Sequence, residues 1–108
     1  MVREVEYLVR LGPDDRYRHK DIREKGRIVS FSVQLETLVE KQWQPIVRYD
    51  CAHGFAHRDL MQKNGAVTKT PVFIHDYNDA ITFAESDLKA NWKVYKERYL
   101  GGRHYARK

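Results

Sequence analysis

The sequence predicts an α+β protein, in which an antiparallel meander sheet of about four to five strands packs against one C-terminal amphipathic helix. Three observations indicate this fold class. Apolar and polar residues alternate from Val29 to Leu35, which is the period of a strand with one buried face. The dipeptide Asn64-Gly65 is typical of a hairpin turn. From residue 77 to 99, apolar residues recur every three or four positions, which is the spacing of a helix with one apolar side.

The first predicted element is a strand over residues 4–11, where apolar residues alternate with charged ones. Gly12 and Pro13 then interrupt the pattern. Residues 12–26 are almost all charged or polar, and only Tyr17 and Ile22 are suited to burial. We therefore expect a polar surface loop there.

The remaining strands follow from alternation and from turn residues. They are expected, in chain order, at residues 28–39, 45–49, 56–61 and 67–74. A turn over residues 40–43 joins the first two of them. Asn64-Gly65 joins the last two, as a type I′ turn in which both central residues need a positive φ.

The predicted helix begins near Tyr77, where Asp76 or Asn78 can cap the first turn. Its apolar stripe consists of Ile81, Ala84, Leu88, Trp92, Tyr95 and Tyr99. Helical spacing explains these residues as core-facing ones. Gly101-Gly102 ends the helix, and residues 101–108 form a basic tail. We expect residues 1–108 to form a single domain.

Composition limits the class of protein. The 108 residues carry a net charge of +5, which favours polyanionic partners and makes nucleic acid, including RNA, the expected class of partner. No apolar run approaches the ~20 residues of a membrane span, and no signal peptide is recognised. Cys51 is the only cysteine, so no internal disulfide is expected. The expected location is the cytoplasm, with no membrane association.

The segment from residue 49 to 59 concentrates the chemistry-bearing side chains of the chain. The candidate site residues are Tyr49, Asp50, His53, His57, Arg58 and Asp59. On a strand, His57 and Asp59 share one face while Arg58 lies on the other. An aspartate beside a histidine orients the ring for acid–base work.

These residue types match a metal-independent ribonuclease. In that hypothesis His53 and His57 are the acid–base pair, and Asp59 supports them catalytically. Arg58 binds the phosphate, while the neighbouring tyrosine and aspartate, Tyr49 and Asp50, have supporting roles.

Two other interpretations remain open for this segment. The residues can be structural, with Asp50 bracing a turn and with His57 and Asp59 forming a cross-strand pair. The series Cys51-x-His53-x3-His57 also contains metal-ligand types. Histidines four apart converge naturally on a helix, however, and Gly54 disfavours a helix here. We therefore predict no metal and no cofactor.

The run from Val47 to Asp59 carries a resemblance, together with Lys69-Thr70-Pro71 and Asp76-Tyr77-Asn78. Over residues 28–100 the chain resembles a family of small prokaryotic domains of unknown function. More distantly, the order strand–strand–Tyr-Asp–His-x-His resembles the TumE-type toxins of toxin–antitoxin pairs. The TumE-type pattern commonly has a tight histidine pair, whereas His53 and His57 are four residues apart.

The leading functional hypothesis is a nucleic-acid-associated protein, with the toxin resemblance implying an endoribonuclease and a cognate antitoxin-like partner. The alternative is a non-catalytic protein-interaction module or a homodimeric structural protein. Whether the chain is an enzyme is left open by the sequence.

Overall fold

The computed structural model describes residues 1–52 and 54–101. It confirms the α+β fold class, with six strands rather than four to five. The elements are β1 (Val2–Gly12), β2 (Asp15–Glu24), β3 (Arg27–Val39), β4 (Gln42–Asp50), β5 (His57–Met61), β6 (Val67–Pro71) and α1 (Tyr77–Tyr99). The sheet has the order β1-β2-β3-β4-β5-β6, and every neighbouring pair is antiparallel. The expected meander is thus confirmed.

The additional strand is β2, so the expectation of a polar loop over residues 12–26 was wrong. Alternate residues of β2, Tyr17, His19 and Asp21, are buried at 1%, 3% and 2% exposure. Only Tyr17 among them is hydrophobic, which is why the alternation does not show in a hydrophobicity pattern. The two polar side chains tolerate burial because they bond to each other, with His19 Nε2 at 2.5 Å from Asp21 Oδ2.

The two turns depart from the sequence expectation in different ways: the first is shorter than residues 40–43, and the second differs in type. Glu40 and Lys41 have φ values of +50° and +67° and join the paired residues Val39 and Gln42. This is the conformation of a two-residue type I′ turn, made without asparagine or glycine. The hairpin at Asn64-Gly65 forms where expected, between β5 and β6. The expected type I′ was wrong, because of the two turn residues only Gly65, at +92°, has a positive φ.

The helix lies across one face of the sheet and closes the core between them. It begins as expected at Tyr77 and is capped by Asp76, whose Oδ1 accepts hydrogen bonds from the backbone N–H groups of Asn78 and Asp79 at 2.7 and 3.1 Å. Four helix residues are buried against the sheet: Ala80, Ile81, Ala84 and Leu88. The aromatic residues of the second half, Trp92, Tyr95 and Tyr99, are partly buried and pack against the same core.

After the helix, Gly101 has a φ of +88°, which suits a glycine at a helix C-terminus. The rest of the basic tail, residues 102–108, lies outside the described residues. Within the described ranges, no helix has both the length and the apolar character needed to cross a bilayer.

The strand pairing places each candidate residue on one of two faces. Tyr49 and Arg58 are cross-strand partners on the face that the helix covers. Asp50 and His57 are the next pair along, so they lie on the opposite face, together with Asp59. We call this second surface the open face.

Candidate functional site

On the open face, His57 lies between two carboxylates. Its Nε2 is 2.7 Å from Asp50 Oδ1 on β4 and 3.7 Å from Asp59 Oδ1 on its own strand. Lys69, on β6, places its Nζ 2.9 Å from the same Asp59 oxygen. Contacts between polar and charged side chains therefore link three adjacent strands at this end of the sheet. His57 and Asp59 share a face, as the strand pattern predicted.

The burial of this cluster limits its chemistry. His57 is 1% exposed and Asp59 is 5% exposed, and His57 Nδ1 lies 3.4 Å from the carbonyl oxygen of Phe55. A substrate oxygen therefore reaches the ring only if a neighbouring side chain moves aside. His53, the other member of the expected acid–base pair, lies outside the described residues.

The same three residues also form a possible metal-ligand set. One nitrogen of His57 and one oxygen each of Asp50 and Asp59 lie within 4.8 Å of one another, and these ligand types suit a divalent transition metal. This set differs from the series Cys51-x-His53-x3-His57 that the sequence suggested. Cys51 is not part of it, because its Sγ lies 3.4 Å from the backbone nitrogen of Phe31. Lys69 already supplies a cation to Asp59. Metal independence stays a prediction.

Arg58 is separated from His57 by the sheet, because adjacent strand residues point to opposite faces. On the helix side, Arg58 Nη1 donates to the hydroxyl of Tyr95 at 3.2 Å. The hydroxyls of Tyr95 and Tyr49 both donate to Asp87 Oδ2, at 2.5 and 2.6 Å. The structure thus divides the five described candidates into an acid–histidine cluster on the open face (Asp50, His57 and Asp59) and a tyrosine–arginine cluster under the helix (Tyr49 and Arg58).

Burial and hydrogen bonding set the protonation of the second cluster. Burial, followed by the hydrogen bond to Asp87, raises the pKa of both Tyr49 and Tyr95, so these hydroxyls stay protonated and act as donors. For Arg58, burial opposes the charge, but the contacts with Tyr95 and Tyr49 raise its pKa. Its buried Nε has no hydrogen-bond partner among the described residues, so packing as well as hydrogen bonding holds the guanidinium.

The tyrosine–arginine cluster opens into a cavity of about 390 Å³. Its lining includes the polar residues Tyr49, Arg58 and Asp87 and the aromatic residues Phe73 and Phe83. Phe73 is 86% exposed and Phe83 is 47% exposed. We call this space the Arg58 cavity. It combines one cation, several hydrogen-bonding groups and two accessible aromatic rings.

A second cavity, of about 370 Å³, shares the segment of residues 71–74 with the first. It is more apolar, and its lining includes Phe55 and Tyr77. Phe55 is 51% exposed. Aromatic surface is thus available on both sides of this segment.

Sequence reasoning gave no support to a third cluster, centred on His19. Its Nδ1 lies 2.9 Å from Glu85 Oε2 on the helix, and the Tyr7 ring stacks on it at 4.2 Å. Burial opposes ionisation of Asp21, but hydrogen bonds from Arg23 and His19 hold its pKa below the ordinary value. Burial and the bond to Glu85 raise the pKa of Tyr7 to about 12.

A sequence signal for this cluster did exist. His19-Lys20-Asp21 repeats the order histidine, base, aspartate of His57-Arg58-Asp59. On a strand that spacing places histidine and aspartate side by side on one face. The repeat was not recognised because residues 12–26 were expected to form a loop, where this spacing does not place side chains on one face.

The family model for a domain of unknown function (DUF7718) matches residues 2–104. Because the match spans nearly the whole chain, the chain belongs to this family. No curated protein and no solved structure matches it.

Proposed function

We propose that this member of the family binds single-stranded nucleic acid, with RNA as the expected ligand, in the Arg58 cavity. The observation that carries the proposal is the meeting of one guanidinium and two exposed aromatic rings, Phe73 and Phe83, around a single cavity. Unpaired bases stack on aromatic side chains, and arginine binds phosphate through paired hydrogen bonds. The net charge of +5 adds a general attraction for the polyanion.

The geometry gives each residue a distinct role in this proposal. A cavity of about 390 Å³ falls within the usual size range of small-ligand sites. Phe73, at 86% exposure, offers a ring face without any rearrangement of the core. Asp87 accepts hydrogen bonds from Tyr49, Tyr95 and Asn91. These bonds satisfy its carboxylate and leave the guanidinium of Arg58 as the group that binds phosphate.

The test is fluorescence anisotropy of a labelled single-stranded RNA with Phe73→Ala and Phe55→Ala as a matched pair. Both residues are exposed phenylalanines, but only Phe73 lines the Arg58 cavity. Loss of one stacking contact costs about 1–3 kcal/mol, so Phe73→Ala should weaken binding roughly 5- to 150-fold. Phe55→Ala should bind as the unmodified chain does.

A salt titration adds a second readout. Binding should weaken as salt rises, and Arg58→Gln should reduce the slope of log K against log salt by about one. Equal binding by the unmodified chain and Phe73→Ala would refute the proposed site. Absence of any RNA binding would favour the non-catalytic interaction module, with the exposed phenylalanines as its contact surface.

A second candidate function is metal-independent cleavage of RNA by His57, as in a toxin-type endoribonuclease. The 2.7 Å contact with Asp50 favours it, because a carboxylate that orients an imidazole prepares it for proton transfer. Because His57 is only 1% exposed, Asp50 or Phe55 must move before RNA can reach its ring.

Cleavage is tested on a mixed RNA pool in EDTA. His57→Ala should lower the rate about 10²- to 10⁴-fold, while the exposed His75→Ala serves as the matched control. Because His53 is the other expected proton donor or acceptor, His53→Ala belongs in the same assay. Equal survival of the pool with the unmodified chain and with His57→Ala would refute this candidate.

A further inference from the structure

The two edges of the sheet differ in how well they are protected. β6 has five residues and ends at Pro71, and a short edge strand with a proline resists pairing with another chain. β1 forms the other edge. It has eleven residues, seven of them exposed, and none of them is proline. Its apolar residues Tyr7 and Leu8 are 41% and 49% exposed.

We propose that two copies of this chain associate by pairing their β1 strands antiparallel, with the two-fold axis at Tyr7. The pairing joins the two sheets into one continuous sheet, and the open backbone groups of each edge satisfy those of the other. This inference is independent of nucleic-acid binding.

Side-chain chemistry selects this register. With the axis at Tyr7, Glu4 of one copy lies opposite Arg10 of the other, twice by symmetry. Opposite charges in directly facing positions stabilise an antiparallel pair. Val5 lies opposite Val9 on the helix side, so the apolar surface under the helices continues from one copy into the next.

Neighbouring registers are less favourable. An axis at Glu6 brings the two Glu6 carboxylates face to face, which is repulsive. An axis at Leu8 brings Arg10 opposite Glu6, whose carboxylate already meets Arg18 and Lys20 at 3.4 and 4.0 Å. It also leaves the first two residues of β1 without a partner, whereas the Tyr7 axis pairs all eleven.

The test is the mass of the full chain in solution by light scattering at several concentrations. The unmodified chain should approach twice its 12.9 kDa mass as concentration rises. Arg10→Glu should raise the dissociation constant at least about 10-fold, and the double variant Glu4→Arg/Arg10→Glu should restore it. Arg3→Glu makes the same charge change opposite Leu11 of the second copy, and it should leave the mass unchanged.

Hydrogen exchange gives a readout that needs no variant. Alternate β1 amides point away from β2, and they should gain protection as protein concentration rises. A monomer at every concentration, with fast exchange of these amides throughout, would overturn the proposal. So would a dimer that Arg10→Glu leaves intact, or one that Phe73→Ser dissociates.

Discussion

Asp21→Asn tests whether His19, which contacts Asp21 on β2 and Glu85 on the helix, stabilises the packing of the helix on the sheet. Asp21 is 2% exposed, and its carboxylate receives hydrogen bonds from Arg23 Nε at 2.8 Å and from His19 at 2.5 Å. The substitution leaves His19, at 3% exposure, without the carboxylate beside its Nε2. Loss of hydrogen bonds to a buried carboxylate costs about 1–3 kcal/mol. That is a large share of the roughly 5–15 kcal/mol that stabilises an ordinary domain.

The effect should depend on pH with a defined sign. The pKa of Asp21 is lower in the folded chain than in the unfolded chain. Its ionised form therefore stabilises the fold above the unfolded pKa of ~3.9, and this stabilisation is lost as pH falls through the folded pKa. The difference between the unmodified chain and Asp21→Asn should therefore shrink as pH falls below about 4.

Urea unfolding, followed by circular dichroism at several pH values, measures the free energy of unfolding of each variant and how it depends on pH. Asp14→Asn is the matched control, because Asp14 is exposed and lies on the turn before the same strand. That control should change the free energy of unfolding by less than about 0.5 kcal/mol. A loss below about 1 kcal/mol for Asp21→Asn, or a loss equal at pH 3 and pH 7, would refute the argument from burial and pairing.

Three further predictions follow from local structure. Replacing Glu40-Lys41 by Asn-Gly should stabilise the fold by about 0.5–2 kcal/mol, because both positions have positive φ; an unchanged urea midpoint would argue against strain in this turn. Trp92→Ala should cost less than the ~3–5 kcal/mol expected for a fully buried tryptophan, because Trp92 is only partly buried; a larger loss in the same urea assay would contradict this. Zinc or manganese should not raise the melting temperature of the unmodified chain, and a rise that is lost on Asp50→Asn would reveal a metal at His57.

The fold was predictable where apolar residues recur with the period of the element, every second residue in a strand and every third or fourth in a helix. The strand around Val33 and the helix around Leu88 follow that rule, and both residues are 0% exposed. β2 breaks it, because His19 and Asp21 are buried as a bonded pair rather than as apolar residues. Hydropathy cannot distinguish a polar side chain that has found a buried partner from one in solvent.

The candidate site was predictable in part. The sequence placed His57 and Asp59 on one face and Arg58 on the other, because strand geometry requires it. It gave no indication that Asp87 and Tyr95, from the helix, complete the Arg58 cluster. Those contacts depend on where the helix crosses the sheet, and spacing within one segment carries no such information.

The meander has a consequence for how the chain folds during synthesis. Each strand pairs only with its neighbours in sequence, so hairpins can form as soon as their residues leave the ribosome. The helix follows all six strands. Until it is made, the face that carries Tyr17, Leu35 and Tyr49 remains uncovered. A nascent chain of this kind exposes an aggregation-prone apolar sheet face until the helix has been synthesised. Chaperone binding matters most during that interval.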